Sequence, residues 1–224
     1  MLLALPWRKY SIHELEIDGR RINLVETTND PRGTGLIAWD GAFVLGKFLE
    51  KTFGSQGLKG QSVIELGSGT GLAGLCAAAL GAEHLFLTDL EYALDNLRAN
   101  VDANLGLKSN VICAELDWYH PSLDFLQNHF FVVDVIILAD VAWVPELVSP
   151  LVNTLRIICD SSCCVTVPKI FLAHQTRALR TDELLMNELK SQDFDIIKAQ
   201  ADEYAEGYSG SIFVYKIVSN KSRC

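Results

Sequence analysis

Three alternating glycines after an apolar segment carry the clearest chemical signal in the chain. Gly67, Gly69 and Gly71 stand between the apolar run 63–66 and a second apolar stretch, with helical spacing, that begins at Leu72. Glycine lets a backbone turn tightly and lets a ligand touch the backbone directly. The pattern therefore predicts a buried strand, a ligand-binding turn and a helix.

An acidic residue at the end of the next apolar run supports a ligand at this turn. The run His84–Asp89 has the composition of a strand and closes with the carboxylate of Asp89. Ligands of open α/β sheets bind at the carboxyl ends of the strands, so the glycines and Asp89 should meet across one crevice. There the acid can accept hydrogen bonds from a ribose diol. The alternative is a glycine-rich turn that binds nothing, and the position of Asp89 argues against it.

The spacing of the glycines distinguishes between nucleoside cofactors. A dinucleotide-binding turn has the form G-x-G-x-x-G, whereas here the third glycine comes one residue early and Leu72 takes its place. No Walker lysine follows. The segment E-L-G-S-G-T-G at 65–71 instead resembles motif I of the seven-strand S-adenosylmethionine-dependent methyltransferases. An NAD-linked dehydrogenase remains a weaker alternative.

Three tryptophans stand at positions that should face the same crevice. Trp39 begins the first long helical pattern, Trp118 follows the third strand of the core, and Trp143 follows the fourth. An indole ring can cover a flat adenine while it buries a large apolar area. Each tryptophan alone is compatible with core packing, but together at successive strand ends they favour a binding site.

The remaining pattern alternates strands and helices, which predicts βαβ units and a mainly parallel sheet. We expect a Rossmann-like α/β methyltransferase sheet with helices on both faces, and one domain over 1–224, divided into an N-terminal hairpin extension at 1–33 and a core at 34–224. The last two strands are too close in sequence for a helical crossover, so the last strand should be antiparallel. The predicted strands and hairpin are 10–28 with its turn at Asp18-Gly19, 62–67, 83–89, 110–116, 132–140, Cys164–Val167, 194–201 and 211–218. The predicted helices are 39–53, 72–80, 92–104, 146–159 and one around 182–190.

The composition and charge of the chain argue against nucleic-acid binding. The chain has 224 residues, 49% of them hydrophobic, and a net charge of -9. Nucleic-acid binders usually carry a basic stripe, whereas the short basic clusters here are only Arg8-Lys9, Arg20-Arg21 and Arg177 with Arg180. An acidic surface suits a basic peptide or protein substrate and is equally ordinary for a cytosolic protein.

The cysteines and the longest apolar run argue against a metal site and a membrane span. None of the six cysteines has C-x-x-C spacing or partner histidines, so we expect reduced, mostly buried thiols and no metal. Asp134 and Asp140 interrupt the longest apolar run, and the apolar N-terminus is too short for a signal-peptide core. We therefore expect a cytoplasmic location, with the nucleus as the alternative, and no membrane partner.

Several segments together resemble one methyltransferase group. They are G-L-I-A-W-D-G-A at 35–42, E-L-G-S-G-T-G-L at 65–72, Thr88-Asp89, L-D-W at 116–118 and Ala139-Asp140. This set is similar to the seven-strand protein-lysine methyltransferases of the methyltransferase-like group, which modifies chaperones, the valosin-containing ATPase and translation elongation factors. The resemblance implies S-adenosylmethionine as cofactor and a protein lysine as acceptor. The cofactor contacts expected with it are Trp39, Glu65, Gly67, Ser68, Gly69, Asp89, Leu90, Asp117, Trp118 and Ala139.

The expected catalytic pair is Asp140 with Trp143. The family carries an acid, two residues and then tyrosine or phenylalanine, whereas this chain has tryptophan as the aromatic residue. A carboxylate with a reference pKa near 3.9 is a poor final proton acceptor for a lysine amine, so Asp140 is expected to orient the amine while water takes the proton. Trp143 would hold the cationic amine and exclude water. The alternative for Asp140 is an N-cap of the helix that follows.

Two further functions remain open on the same scaffold. One is methylation of a small molecule or an arginine, although a guanidinium usually calls for paired acids and only Glu146 stands near Asp140 in sequence. The other is a non-catalytic cofactor-binding partner protein in which Trp143 closes the lysine channel. The specificity elements are expected in the hairpin and in the 203–210 loop. The substrate, the number of methyl groups and the oligomeric state do not follow from the sequence.

Overall fold

The centre of the fold is a seven-stranded sheet with helices on both faces. The computed structural model describes residues 15–27, 31, 33–107, 109–127, 132–161, 166–206 and 210–220. Its strands are β1 (Glu16–Ile17), β2 (Arg20–Arg21), β3 (Ser62–Leu66), β4 (His84–Asp89), β5 (Asn110–Glu115), β6 (Val135–Ala139), β7 (Lys169–Gln175), β8 (Phe194–Lys198) and β9 (Ile212–Ser219). Its α-helices are α1 (Asp40–Phe53), α2 (Leu72–Ala79), α3 (Glu91–Asp102), α4 (Asp124–Gln127), α5 (Pro145–Asp160) and α6 (Leu179–Ser191).

The strand order confirms the predicted Rossmann-like sheet and its antiparallel last strand. The order is β5-β4-β3-β6-β7-β9-β8. The strands β5, β4, β3, β6 and β7 are parallel, and β9 pairs antiparallel with both β7 and β8. The segment between β8 and β9 contains only a short 3₁₀ turn, Ala201–Glu203, so the chain reverses without a helical crossover.

The central strands are buried on both faces because helices cover the sheet above and below. All five residues of β3 are buried. Val63 and Ile137 belong to a core cluster with α1 and α2, whereas Ile64 and Leu66 belong to a second cluster with α5 and α6. Burial on both faces explains why these strands appear in the sequence as continuous apolar runs rather than as alternating patterns.

The N-terminal hairpin turns where the sequence predicts. Asp18 and Gly19 connect β1 and β2, and both have positive φ angles, 51° and 69°. Two consecutive left-handed residues are typical of the tight turn that suits the twist of a hairpin. Ile17 and Ile22 anchor the hairpin in the first core cluster. Residues 1–14, 28–30 and 32 lie outside the described part, and the domain division at 33–34 stays a prediction.

The prediction for the strand at Cys164–Val167 is wrong. Residues 162–165 lie outside the described part, Thr166 and Val167 are in no strand, and the strand is β7, Lys169–Gln175. Its run Ile170–His174 is buried throughout because β7 pairs with β6 on one side and β9 on the other. A short apolar run without alternation cannot be told from a buried helix segment by periodicity. The strand predicted at 132–140 is also shorter than expected and covers Val135–Ala139.

The described cysteines are thiols held in apolar surroundings. Cys76 and Cys159 are buried and Cys113 is half-buried, while Cys163, Cys164 and Cys224 lie outside the described residues. Burial raises the pKa of Cys76 and raises the pKa of Cys113 to about 11. Within the described ranges, no group of three or more His, Cys, Asp or Glu side chains could hold a metal ion. No helix there is long and apolar enough to cross a membrane.

Candidate active site

The carboxyl ends of the parallel strands surround one cavity of about 470 Å³. This volume lies in the range of small-molecule sites, roughly 300–1,000 Å³. The cavity brings together residues that are far apart in the sequence, from the start of α1 to the end of β6. All twelve residues predicted for the site line it: Trp39, Glu65, Gly67, Ser68, Gly69, Asp89, Leu90, Asp117, Trp118, Ala139, Asp140 and Trp143.

The glycine turn presents bare backbone to this cavity. Gly67, Gly69 and Gly71 have φ angles of 66°, 55° and 80°, in the left-handed region that favours glycine. A Cβ atom on Gly67 would lie 2.8 Å from Cγ1 of Val141 and 3.1 Å from Cζ2 of Trp118. The turn thus has no room for a side chain at Gly67, and Gly67 and Gly69 line the cavity with main chain alone. This fits a cofactor without phosphate, because the turn offers close contact and no basic side chain.

Glu65 connects the glycine turn to α2. It is 1% exposed, and its Oε2 accepts a hydrogen bond of 3.0 Å from the amide of Gly74 in α2. A Cβ atom on Gly74 would lie 2.7 Å from that oxygen, so glycine is needed for this contact. Burial raises the pKa of Glu65 to about 8. Glu65 therefore joins the turn to α2, and its carboxyl group is directed into the protein.

Hydrogen bonds also join the turn to β4. The hydroxyl of Ser68 accepts a bond of 2.9 Å from the amide of Thr88 and donates one of 3.3 Å to the carbonyl of Glu65. The amide of Ser68 donates to the carbonyl of Thr88 at 2.9 Å. The hydroxyl of Ser68 thus bonds to the backbone of β3 and β4, and Ser68 still lines the cavity. These hydrogen bonds hold the ends of β3 and β4 together, and both ends carry residues predicted for the site.

Asp89 lies at the end of β4 and faces the turn. Its Oδ2 accepts a 2.7 Å hydrogen bond from the amide of Gly69, and its Oδ1 accepts a 2.8 Å bond from the amide of Leu90. Burial raises the pKa of Asp89, and these amides partly offset that effect. A carboxylate has about four acceptor positions, so two remain for the hydroxyls of a ribose.

Two tryptophans form walls of the cavity. Trp39 precedes α1, and its Nε1 donates a 3.1 Å hydrogen bond to the carbonyl of Thr34. Trp118 has its ring against Gly67, as the distance to a Cβ there shows. Asp117 precedes Trp118, and its Oδ1 accepts a 2.9 Å hydrogen bond from the amide of Tyr119, which fixes the turn after β5.

Asp140 forms a buried part of the same cavity. Its side chain is 2% exposed, and its backbone has a φ angle of 54°. Its Oδ2 accepts a 3.0 Å hydrogen bond from the amide of Gly41, and its Oδ1 accepts a 3.1 Å bond from the amide of Gln175. Asp140 thus caps α1 from a distant part of the chain. The alternative of an N-cap on α5 is wrong, because Val144 takes that position.

The mouth of the cavity is exposed and aromatic. Trp143 is 47% exposed and Tyr119 is 55% exposed. The hydroxyl of Tyr119 donates a 3.1 Å hydrogen bond to the carbonyl of Glu146, which joins the turn after β5 to the start of α5. Both rings line the cavity and also face solvent. An acceptor can therefore enter here.

Among the lining residues that sequence reasoning missed, three have polar or charged side chains that bear on the site: Tyr92, Tyr119 and Arg177. Tyr92 accepts a 3.0 Å hydrogen bond from the amide of Gly35 and fixes the segment before α1. Tyr119 follows the L-D-W segment directly, and its position in the sequence could have indicated it. Arg177 lies two residues after the end of β7 and lines the cavity. It was missed because the strand before it was placed too early, so its position at a strand end was hidden.

Comparison with known proteins bears on the family and the fold. A family described as lysine methyltransferase matches residues 16–192. The zebrafish (Danio rerio) protein N-lysine methyltransferase METTL21A is 37% identical, over 99% of this chain and 94% of that protein. The mouse (Mus musculus) EEF1A lysine methyltransferase 3 is 29% identical, over 83% of this chain and 75% of that protein. The structure of magnesium protoporphyrin IX methyltransferase from Synechocystis with S-adenosylmethionine bound has a TM-score of 0.54 at 15% identity, over 80% of this chain and 77% of that one. The structural similarity confirms the fold.

Proposed function

This chain belongs to the lysine methyltransferase family, and we propose that Asp140 and Trp143 hold the acceptor lysine of a folded protein substrate. The cofactor of such enzymes, S-adenosylmethionine, supplies a methyl group attached to a positively charged sulfur. The protein's task is therefore to align this donor with the acceptor amine and to keep water away. The cofactor contacts proposed are the ten predicted for it, since all of them line the cavity.

The position of Asp140 is the observation that carries this proposal. It follows Ala139 at the end of β6, which pairs directly with β3, the strand that leads into the glycine turn. Each carboxylate oxygen accepts one backbone amide, so acceptor positions remain for a substrate ammonium group. A charged hydrogen bond of this kind would orient the amine.

The acceptor lysine must lose its proton before it can attack. Its reference pKa is about 10.4; burial in the cavity disfavours the charged form, whereas the carboxylate of Asp140 favours it. Asp140 orients the amine and water carries the proton away. The aromatic faces of Trp143 and Tyr119 at the mouth suit a cation that enters from solvent.

The chemical class of the substrate rests on the relatives and on the mouth of the cavity. Two relatives are named for lysine methylation of EEF1A or for EEF2, so a translation factor, a chaperone or an AAA ATPase in the cytoplasm or nucleus is the proposed substrate class. The net charge of -9 suits a basic segment around the target lysine. Glu146, the acid considered as a partner of Asp140 for an arginine, is exposed and does not line the cavity. This favours lysine.

The experiment compares wild type with Asp140→Asn in the transfer of labelled methyl groups from S-adenosylmethionine to proteins of a cell extract. Asparagine tolerates the left-handed backbone, keeps the shape of the side chain and can still accept one of the two amides of Gly41 and Gln175, whereas alanine would leave both unpaired. We expect label on one lysine of one protein, reduced by about 100-fold or more in Asp140→Asn, as for loss of a charged contact to a reacting group.

Glu146→Gln is the matched control, since it removes an exposed acid beside the site and should keep full activity. Calorimetry with S-adenosylhomocysteine should show that Asp140→Asn still binds the product within about threefold of wild type. Full activity of Asp140→Asn would contradict the role of this residue. Intact product binding without any labelled protein would instead support a small-molecule enzyme or a non-catalytic partner.

A further inference from the structure

Arg177 lies between the two parts of the site proposed for cofactor and substrate. It follows the end of β7, and its guanidinium carbon stands 4.8 Å from the ring centroid of Trp39. Its Nη2 is 3.8 Å from Oδ2 of Asp140, within ion-pair range but beyond hydrogen-bond distance. The side chain is 37% exposed. The contact holds the guanidinium group over the ring of Trp39, and its N–H groups can donate to a ligand in the cavity.

The charges around the cavity make Arg177 distinctive. Among the described residues that line the cavity, the acids are Glu65, Asp89, Asp117 and Asp140, and Arg177 is the only lysine or arginine. The two substrates bring a sulfonium, an α-ammonium and a lysine ammonium, all cationic, and a single anion. That anion is the α-carboxylate of the cofactor's amino-acid group.

The order of the strands indicates which end of the cofactor lies near Arg177. Asp89, proposed to bind the ribose, ends β4, and Arg177 follows β7. The sheet order β4-β3-β6-β7 separates these strand ends by three strand spacings, roughly 14 Å. The nucleoside half of the cofactor therefore belongs at β4, and the amino-acid half extends towards β6 and β7.

We propose that Arg177 binds the α-carboxylate of S-adenosylmethionine and thereby selects the intact cofactor. A guanidinium offers two parallel N–H donors to a carboxylate, which gives both charge pairing and a fixed orientation. This inference rests on the cofactor site in the proposed function. Arg177 is partly exposed and its distance to Asp140 is too long for a hydrogen bond, while Asp140 keeps its two backbone amides, so replacement of Arg177 should leave the fold intact.

The test measures binding of two ligands to three proteins by calorimetry. The ligands are S-adenosylhomocysteine and its decarboxylated analogue, which keeps the amine and lacks only the carboxylate. The proteins are wild type, Arg177→Gln and the control Arg180→Gln, an exposed arginine three residues away that does not line the cavity. We expect Arg177→Gln to weaken S-adenosylhomocysteine by about tenfold to 100-fold and to leave the analogue within about twofold. Arg180→Gln should change neither.

The two-ligand design separates a charge contact from a structural effect. If Arg177→Gln weakens both ligands equally, the residue acts only by supporting Trp39, and the proposal is overturned. If Arg177→Gln changes neither ligand, the carboxylate is bound elsewhere and the proposal is likewise overturned. Failure of the wild type to bind either ligand would reject the cofactor site of the proposed function itself, and this inference with it.

Discussion

The floor of the cavity and its mouth are built differently. The floor, which we define as Glu65, the turn 67–71 and Asp89, is held by hydrogen bonds within the protein to α2, β4 and the start of α3. The mouth, which we define as Tyr119 and Trp143, has residues that are 55% and 47% exposed. The floor is thus shaped before any ligand arrives, whereas the mouth still faces solvent.

This difference separates two tasks of the enzyme. A floor that is already ordered loses little entropy when the cofactor binds, and it fixes the position of the donor. An exposed aromatic mouth can be completed by the surface of a protein substrate. Changes at the floor should therefore alter cofactor binding, and changes at the mouth should alter the use of the protein substrate.

The largest effect is expected at Gly67. Gly67→Ala places a methyl group 2.8 Å from Val141 at a φ angle of 66°, so the turn must move. Binding of S-adenosylhomocysteine, measured by calorimetry, should weaken by about 100-fold or more, which corresponds to roughly 3 kcal/mol. Gly106→Ala, where a methyl group meets nothing within 4 Å, is the control. Unchanged binding in Gly67→Ala would show that the floor is not rigid.

A smaller loss is expected at Asp89. Asp89→Ala removes the acceptor for the amides of Gly69 and Leu90 and the proposed ribose contact, so cofactor binding should weaken by about 10-fold to 100-fold. The exposed Asp102 in α3 provides the control Asp102→Ala. Equilibrium binding is again the measurement, with circular dichroism to verify folding. If Asp89→Ala binds as tightly as wild type, the ribose lies elsewhere.

A change at the mouth should lower the use of the protein substrate and leave cofactor binding nearly unchanged. Trp143→Ala should reduce kcat/KM for the protein substrate by about tenfold, through the loss of an aromatic wall, while the Kd for S-adenosylhomocysteine stays within about twofold. Trp143→Phe keeps an aromatic face and should recover most of the activity. A parallel loss of cofactor binding in Trp143→Ala would mean that mouth and floor are one unit and that the comparison fails.

The smallest effect concerns pH and the floor. The folded-state pKa of Glu65, about 8, is above its ordinary value of 4.5, so the folded chain binds this proton more tightly than the unfolded chain. The resulting stability is fully present below about pH 4.5 and is lost as pH rises through about 8. Glu65→Gln cannot titrate, and its melting temperature should fall less between pH 6 and 9, by a few degrees. The exposed Glu115→Gln should follow wild type. Parallel curves for wild type and Glu65→Gln would mean that Glu65 is not the titrating group.

The sequence was most informative where local geometry and chemistry coincide. The glycines, Asp89 and the tryptophans at strand ends could be assigned to one crevice, because parallel strands end at the same edge of the sheet. Arg177 could not be assigned, since the run Ile170–His174 has no alternation and its strand was placed too early. The error in one buried strand removed one residue from the predicted site.

The sequence by itself determined the strand, the glycine turn and the acid of the proposed cofactor site, since left-handed turns favour glycine and ligands of open α/β sheets bind at the carboxyl ends of strands. Only the tertiary structure shows that Asp140 also caps α1. Its carboxylate accepts amides from Gly41, 99 residues away, and from Gln175, 35 residues away. Such contacts depend on how α1, β6 and β7 pack together, and no local pattern around Asp140 carries that information.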